Sequence, residues 1–246
     1  MATFNSFATI LPDPVYKITD AGNTDASGQP GPGFASVAFQ SNGDTQVSRT
    51  ISGRGVHRDQ GTHFWAFTIT YHKMTREQFD PVDAFLGARN ARKKAFYVVL
   101  PQHAKPKQPA FAAYVLSNPN LLVSEFAVEA GISAVMIKTT NNTAISGNPR
   151  PGDFFNIEDA TNANHLKTYK ITRVETDQLY QAGTTAPTAS RKRIHFEPPL
   201  QRAIAANAKI VFTPKFRVIM KGDLREYQLD TDNLYNFGLQ LEEIQP

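Results

Sequence analysis

Two strictly alternating stretches near opposite ends of the chain constrain its fold more than any other feature. In Thr62–His72, Trp65, Phe67, Ile69 and Tyr71 alternate with Phe64, Ala66, Thr68 and Thr70. In Leu234–Ile244, Tyr235, Phe237, Leu239 and Leu241 alternate with Asn236, Gly238, Gln240 and Glu242. A period of two puts each apolar set on one face of a strand, and that face must be covered. The chain between them has a different texture. Short β-like runs follow in succession at Leu121–Val128, Ile132–Lys138, Asp153–Ile157, Lys167–Glu175, Arg193–Phe196 and Lys209–Phe212, with polar loops at Thr139–Pro151 and Gln181–Arg191. Closely spaced short strands predict a small barrel or sandwich. Phe216–Met220 reads as a further strand.

The first half carries a helix signal. Thr75 and Gln78 have capping-box spacing, while Asp80-Pro81 offers a second start with Pro81 at the first helical position. The two starts stay open, and Phe79, Val82, Phe85 and Leu86 share the apolar face of either. Ala95–Leu100 reads as a strand closed by Pro101, and Gln102–Pro109 as a proline-rich connector. Ala21–Gly33 (AGNTDASGQPGPG) reads as a flexible arm whose deletion leaves the monomer folded and weakens assembly. The expected fold class is therefore mainly β (α+β), with one short helix. Residues 1–112 and 213–246 form one domain split by a barrel at 113–212. Two consecutive domains are the alternative.

Composition removes several classes of function. The 246 residues correspond to roughly 1.6 average domains. Without cysteine there is no disulfide scaffold, Cys-ligated zinc, Fe–S cluster or thiol nucleophile. No apolar run reaches membrane-spanning length, and the N-terminus lacks the pattern of a secretory signal. His57, Asp59 and His63 are near in sequence, but H-x-D-x3-H is not a zinc spacing, and a polar hairpin is expected. There is no G-x-S-x-G elbow and no P-loop; Ser52-Gly53-Arg54-Gly55 reads as a turn. Asp153, Glu158, Asp159, Glu242 and Glu243 are expected to be solvated charges. No catalytic residue, cofactor or metal site is expected, and the chain reads as a non-enzyme.

A net charge of +4 is weak evidence for nucleic-acid binding without clustering. Two clusters exist, Arg89/Arg92/Lys93/Lys94 beside Phe96 and Tyr97, and Arg191-Lys192-Arg193. The first follows a helix C-terminus, where cations are favoured by the dipole. No specific nucleic-acid binding is expected.

The order of elements resembles a known family. Gly43-Asp44-Thr45-Gln46-Val47, strand Phe64–Tyr71, Thr75–Phe79 leading into Phe85-Leu86, strand Phe96–Leu100 and the closing Leu234–Ile244 resemble the belt domain of tailed-phage distal tail proteins. They are similar to the lambda-like minor tail protein M family. Pro151–Ile157, Lys167–Thr172 and Ile194–Leu200 resemble the β-barrel insertion of phage tail-tip proteins. The resemblance implies a split β-sandwich belt with an OB- or galectin-like barrel. It implies a structural virion protein, made in the host cytoplasm and placed at the tail tip. There a homo-hexameric ring would join the tail tube protein to the tail-tip hub or baseplate proteins. DNA would only pass through its lumen, and no membrane contact is implied. In such a ring the Arg89–Lys94 cluster is expected to face outward or contact a neighbouring subunit. The family contributes no catalytic residues. The alternative is a tail adhesin that binds a host-surface glycan through the barrel, with Tyr180 beside the Gln181–Ser190 loop as the candidate contact.

Overall fold

The computed structural model describes residues 9–19, 22–24, 28–162, 165–222 and 226–244. The chain folds as two units, Met1–Val98 with Arg217–Gln245, and Val99–Phe216. The sequence places these borders at 112/113 and 212/213. The first border is earlier because a helix absent from the sequence prediction, Pro109–Ser117, sends Phe111 and Val115 into the barrel core.

The first unit contains strands β1 (Lys17–Thr19), β2 (Gly22–Thr24), β3 (Phe34–Arg49), β4 (Gly55–Tyr71) and β5 (Phe96–Val98). Three more strands close it, labelled by chain order β12 (Phe216–Met220), β13 (Tyr227–Leu229) and β14 (Tyr235–Glu243). β1 and β2 pair with each other, and the rest form a six-stranded sheet ordered β3-β4-β14-β12-β5, with β13 also on β14. The two alternating stretches are therefore neighbours. Gly238 faces Thr70, Leu239 faces Ile69 and Leu241 faces Phe67 across an antiparallel ladder. The apolar residues of the pattern, Trp65, Phe67, Ile69, Tyr71, Phe237, Leu239 and Leu241, are all buried. At the sheet's far side the segment after Thr9 seals β5. The Leu11 N–H donates to the Tyr97 carbonyl at 2.8 Å, and the Tyr97 N–H donates to the Thr9 carbonyl at 2.7 Å. Among the described residues no strand pairs with the outer edge of β3.

Helix α1 (Arg76–Arg89) supplies cover for apolar sheet residues. It starts at Thr75, not Asp80, and the Gln78 side chain accepts the Thr75 N–H at 3.2 Å. Phe79 stacks on Tyr235 with centroids 4.4 Å apart and meets Phe237 edge-on, while Phe85 meets Phe96 edge-on. Pro81 sits inside the helix. It has no N–H for the Glu77 carbonyl four residues back. That carbonyl instead accepts the Gln29 side-chain amide at 2.8 Å. The supposed flexible arm thus has a fixed part. Gly31 and Pro32 are buried, and a Cβ on Gly31 would lie 2.4 Å from the Pro12 carbonyl carbon. Removing Ala21–Gly33 would strip contacts from the fold itself, which counts against the expectation that the deletion leaves the monomer's folding untouched.

The second unit holds helix α2 (Pro109–Ser117) and strands β6 (Leu122–Ser124), β7 (Ala134–Thr139), β8 (Phe154–Glu158), β9 (Thr168–Glu175), β10 (Arg191–Glu197) and β11 (Lys209–Val211). They close into an antiparallel barrel in the order β10-β7-β6-β11-β8-β9. Closure removes free edges, and the interior fills with alternate side chains. Phe155, Tyr169, Ile171, Ile194, Phe196 and Ile210 line it. Phe111 enters this core from α2, edge-on to Phe212 at 4.9 Å. Gly147 permits the close approach: its φ is +73°, and a Cβ there would fall 2.8 Å from the Phe111 nitrogen. Among the described residues no helix is long and apolar enough to cross a membrane.

Candidate functional site

The barrel carries the most developed polar site. The β8 strand ends in a turn at Asp159–Asn162, and β9 is entered through His165 and Leu166. With Asn207 and Lys209 from the approach to β11, these residues and Glu158 line a cavity of about 400 Å³. Its carboxylates are already engaged. Asp159 accepts the Thr161 N–H at 2.9 Å, the Thr161 hydroxyl at 2.7 Å and the Ala205 N–H at 2.8 Å. Burial alone would raise the Asp159 pKa, but these donors and nearby His165 hold it below the ordinary carboxylate value. Glu158 pairs with Lys209 at 2.9 Å.

His165 is 3% exposed, and burial pushes its pKa down to about 4 against the pull of Asp159. It is therefore a neutral imidazole near neutral pH. The Tyr169 hydroxyl lies 3.0 Å from Nε2 and accepts the Gln201 N–H at 3.4 Å. Accepting from Gln201, the hydroxyl donates its own proton to Nε2, which leaves the ring proton on Nδ1. Among the described residues Nδ1 is buried without a hydrogen-bond partner. Two carboxylates, one ammonium and a neutral imidazole disfavour anions. Carboxamides at Asn162 and Asn207, with Ala160 and Leu166 between polar groups, suit a neutral ligand of mixed donors and acceptors.

Sequence reasoning passed over His165 because a lone histidine carries no motif. Its surroundings come from Tyr169 four residues on and from residues near 201–209. The three acids expected to be solvated near these elements or on β14 also need correction. Asp153, Asp159 and Glu243 are buried, each with backbone N–H donors that replace water. Glu158 and Glu242 remain accessible.

The Arg191-Lys192-Arg193 cluster is engaged within the barrel, whereas Arg92, Lys93 and Lys94 of the first cluster are exposed. Arg89 lies over the Phe85 ring at 4.9 Å, and Arg92 pairs with Glu242 at 3.3 Å. Arg191 pairs with Glu125 at 2.9 Å, and Lys192 is buried. Arg193 joins Arg173 and His195 around the buried Glu175, at 3.0, 2.7 and 2.8 Å. Burial would raise the Glu175 pKa, but bonds from His195 and the Gln181 N–H, with the His195 and Arg193 charges, hold it below its ordinary value. The Gln181 N–H and Thr184 hydroxyl bind this network, so it pins the loop that carries Tyr180. Tyr180 is 45% exposed and does not line the cavity.

On the hairpin, His57, Asp59 and His63 stand opposite Val47, Thr45 and Gly43. The side chains of His57 and Asp59 lie outside the described residues. His63 Nε2 is 2.8 Å from the Ser41 hydroxyl, and its ring meets Trp65 edge-on. Among the described residues no three His, Cys, Asp or Glu are grouped to hold a metal. No protein-family model matches the chain, and no curated protein matches it.

Proposed function

We propose that the chain is a structural subunit of a ring at the distal end of a phage tail tube. Six copies would join the tube to the tail-tip hub or baseplate and leave a channel for DNA. In this assignment the sheet unit is the belt half of a split β-sandwich, and the barrel is of the OB- or galectin-like kind. One observation carries it: the two ends of the chain build one sheet together, with β14 between β4 and β12, while the segment between them closes a barrel of its own. The engagement of the Arg191-Lys192-Arg193 cluster within the barrel also supports a scaffold over a nucleic-acid binder. Light scattering with negative-stain imaging tests the proposal. Six copies of the 27.2 kDa chain give about 163 kDa and a sixfold annulus. A monomer that stays monomeric when titrated with tail-tube protein overturns it.

The His165 cavity favours a second reading, a barrel that binds a neutral host-surface glycan there and not at Tyr180. Titration with methyl glycosides, read on the His165 ring resonances, tests it. Shifts lost in the cavity-filling variant Ala160→Trp support it, and an unshifted ring across the panel removes it.

A further inference from the structure

The β3–β4 hairpin outruns the sheet that holds it. β14 pairs with β4 only over Ala66–Thr70, whereas β3 and β4 remain paired out to Arg49 and Gly55. Residues 41–49 of β3 and 55–65 of β4 therefore run on as a two-stranded ribbon, about 30 Å at ~3.3 Å per residue. Two strands alone are marginal in water, so such a ribbon gains by docking. Its end is apolar where it is most open. Val47, Ile51 and Val56 are 59%, 110% and 48% exposed, with Arg49 and Arg54 among them.

The same unit carries a surface of complementary character. All three residues of β13 are exposed, and Tyr227 and Leu229 present apolar area. Glu226, Asp230 and Asp232 flank them, with Lys73 paired to Asp230. Tyr227 is a held anchor, since its ring packs on Phe79 at 5.0 Å. Pre-ordered aromatics of this kind are favoured interface anchors. A basic apolar tip and an acidic apolar strand on one chain are two different patches. Their union is head-to-tail, the contact type that closes into rings.

We propose that the hairpin tip of one copy, centred on Ile51, docks on β13 of the next copy through Tyr227 and Leu229, with Arg49 and Arg54 toward the acidic flank. This rests on the ring assignment and adds the surfaces that make it. The natural absence of cysteine gives a clean test. Ile51→Cys and Leu229→Cys proteins are prepared separately, mixed and oxidised with copper phenanthroline. The expected product is a disulfide-linked pair at least tenfold more abundant from the mixture than from either protein alone. The double variant should give a ladder ending at the ring. A further pair, Arg54→Glu with Asp232→Arg, separates charge from folding: the first should weaken association about tenfold and the second should restore it. Rings without the cross-link overturn the docking surfaces and leave the ring assignment intact. Cross-linked open chains that never close support the surfaces and count against the ring. A monomer without cross-links at millimolar concentration overturns both.

Discussion

Acidification should loosen the barrel through His165 before Asp159 or Glu175 responds. In the folded barrel its pKa is about 4 because burial disfavours the imidazolium, reinforced by Arg202 and opposed by Asp159. In the unfolded chain it returns to roughly 6.5. As pH falls through that interval the unfolded state takes up a proton that the folded state refuses, so stability is lost. The loss from this one group is about 2 kcal/mol at about pH 5 and approaches about 3 kcal/mol below the folded pKa. The Asp159 and Glu175 carboxylates are held low, so their contributions persist above the unfolded carboxylate range and fail only at more acid pH. The only tryptophan, Trp65, lies in the sheet unit and does not report on the barrel. Hydrogen exchange of β9 and β10 peptides does, after correction for intrinsic rates. Between about pH 7.5 and about pH 5 the native barrel should lose about 30-fold more protection than His165→Gln. Parallel losses in the two proteins, or an NMR titration placing His165 at its ordinary pKa, would refute the reasoning.

Other outcomes follow from single contacts. Gln29→Ala should cost about 0.5–1 kcal/mol in urea unfolding followed by Trp65 fluorescence, and almost nothing in a Pro81→Ala background, where the helix supplies its own N–H to Glu77. Gly31→Ala should cost at least about 1–3 kcal/mol by the same assay, because its Cβ meets backbone that has no room to yield. Phe111→Ala should cost about 3–5 kcal/mol, seen as lost exchange protection throughout the barrel and not in β4 or β14. Glu175→Gln should release Arg193 and speed proteolysis within residues 176–190 while the barrel strands stay protected.

The barrel strands, the second half of β4, β5, β12 and β14 were legible, because alternation and burial obey one rule, whereas β1, β2, β13 and most of β3 carry no such pattern and were not foreseen. Phe216–Met220 and Arg193–Phe196 needed only their own residues to declare themselves. Helix α2 was hidden by its composition. PAFAAYVLS is apolar on nearly all sides, so it has little helical contrast, and only Phe111 and Val115 reach the core. The helix starts at Thr75 through its capping box with Gln78, and Gln29, far from both in sequence, takes up the Glu77 carbonyl that Pro81 leaves without an N–H. His165 and Glu175 were illegible for a related reason. Each owes its state to partners brought from other strands and loops, and no local pattern records them.

With β5 sealed, the bare margins of the sheet among the described residues are the outer edge of β3, the edge of β4 before Ala66 and the outer edge of β13. A margin that zips to its own twin stops at two copies, whereas two unlike margins can pair head to tail without a built-in stop. Backbone pairing alone therefore does not set the number of copies. That number has to be counted out by side chains that fix the angle between neighbours.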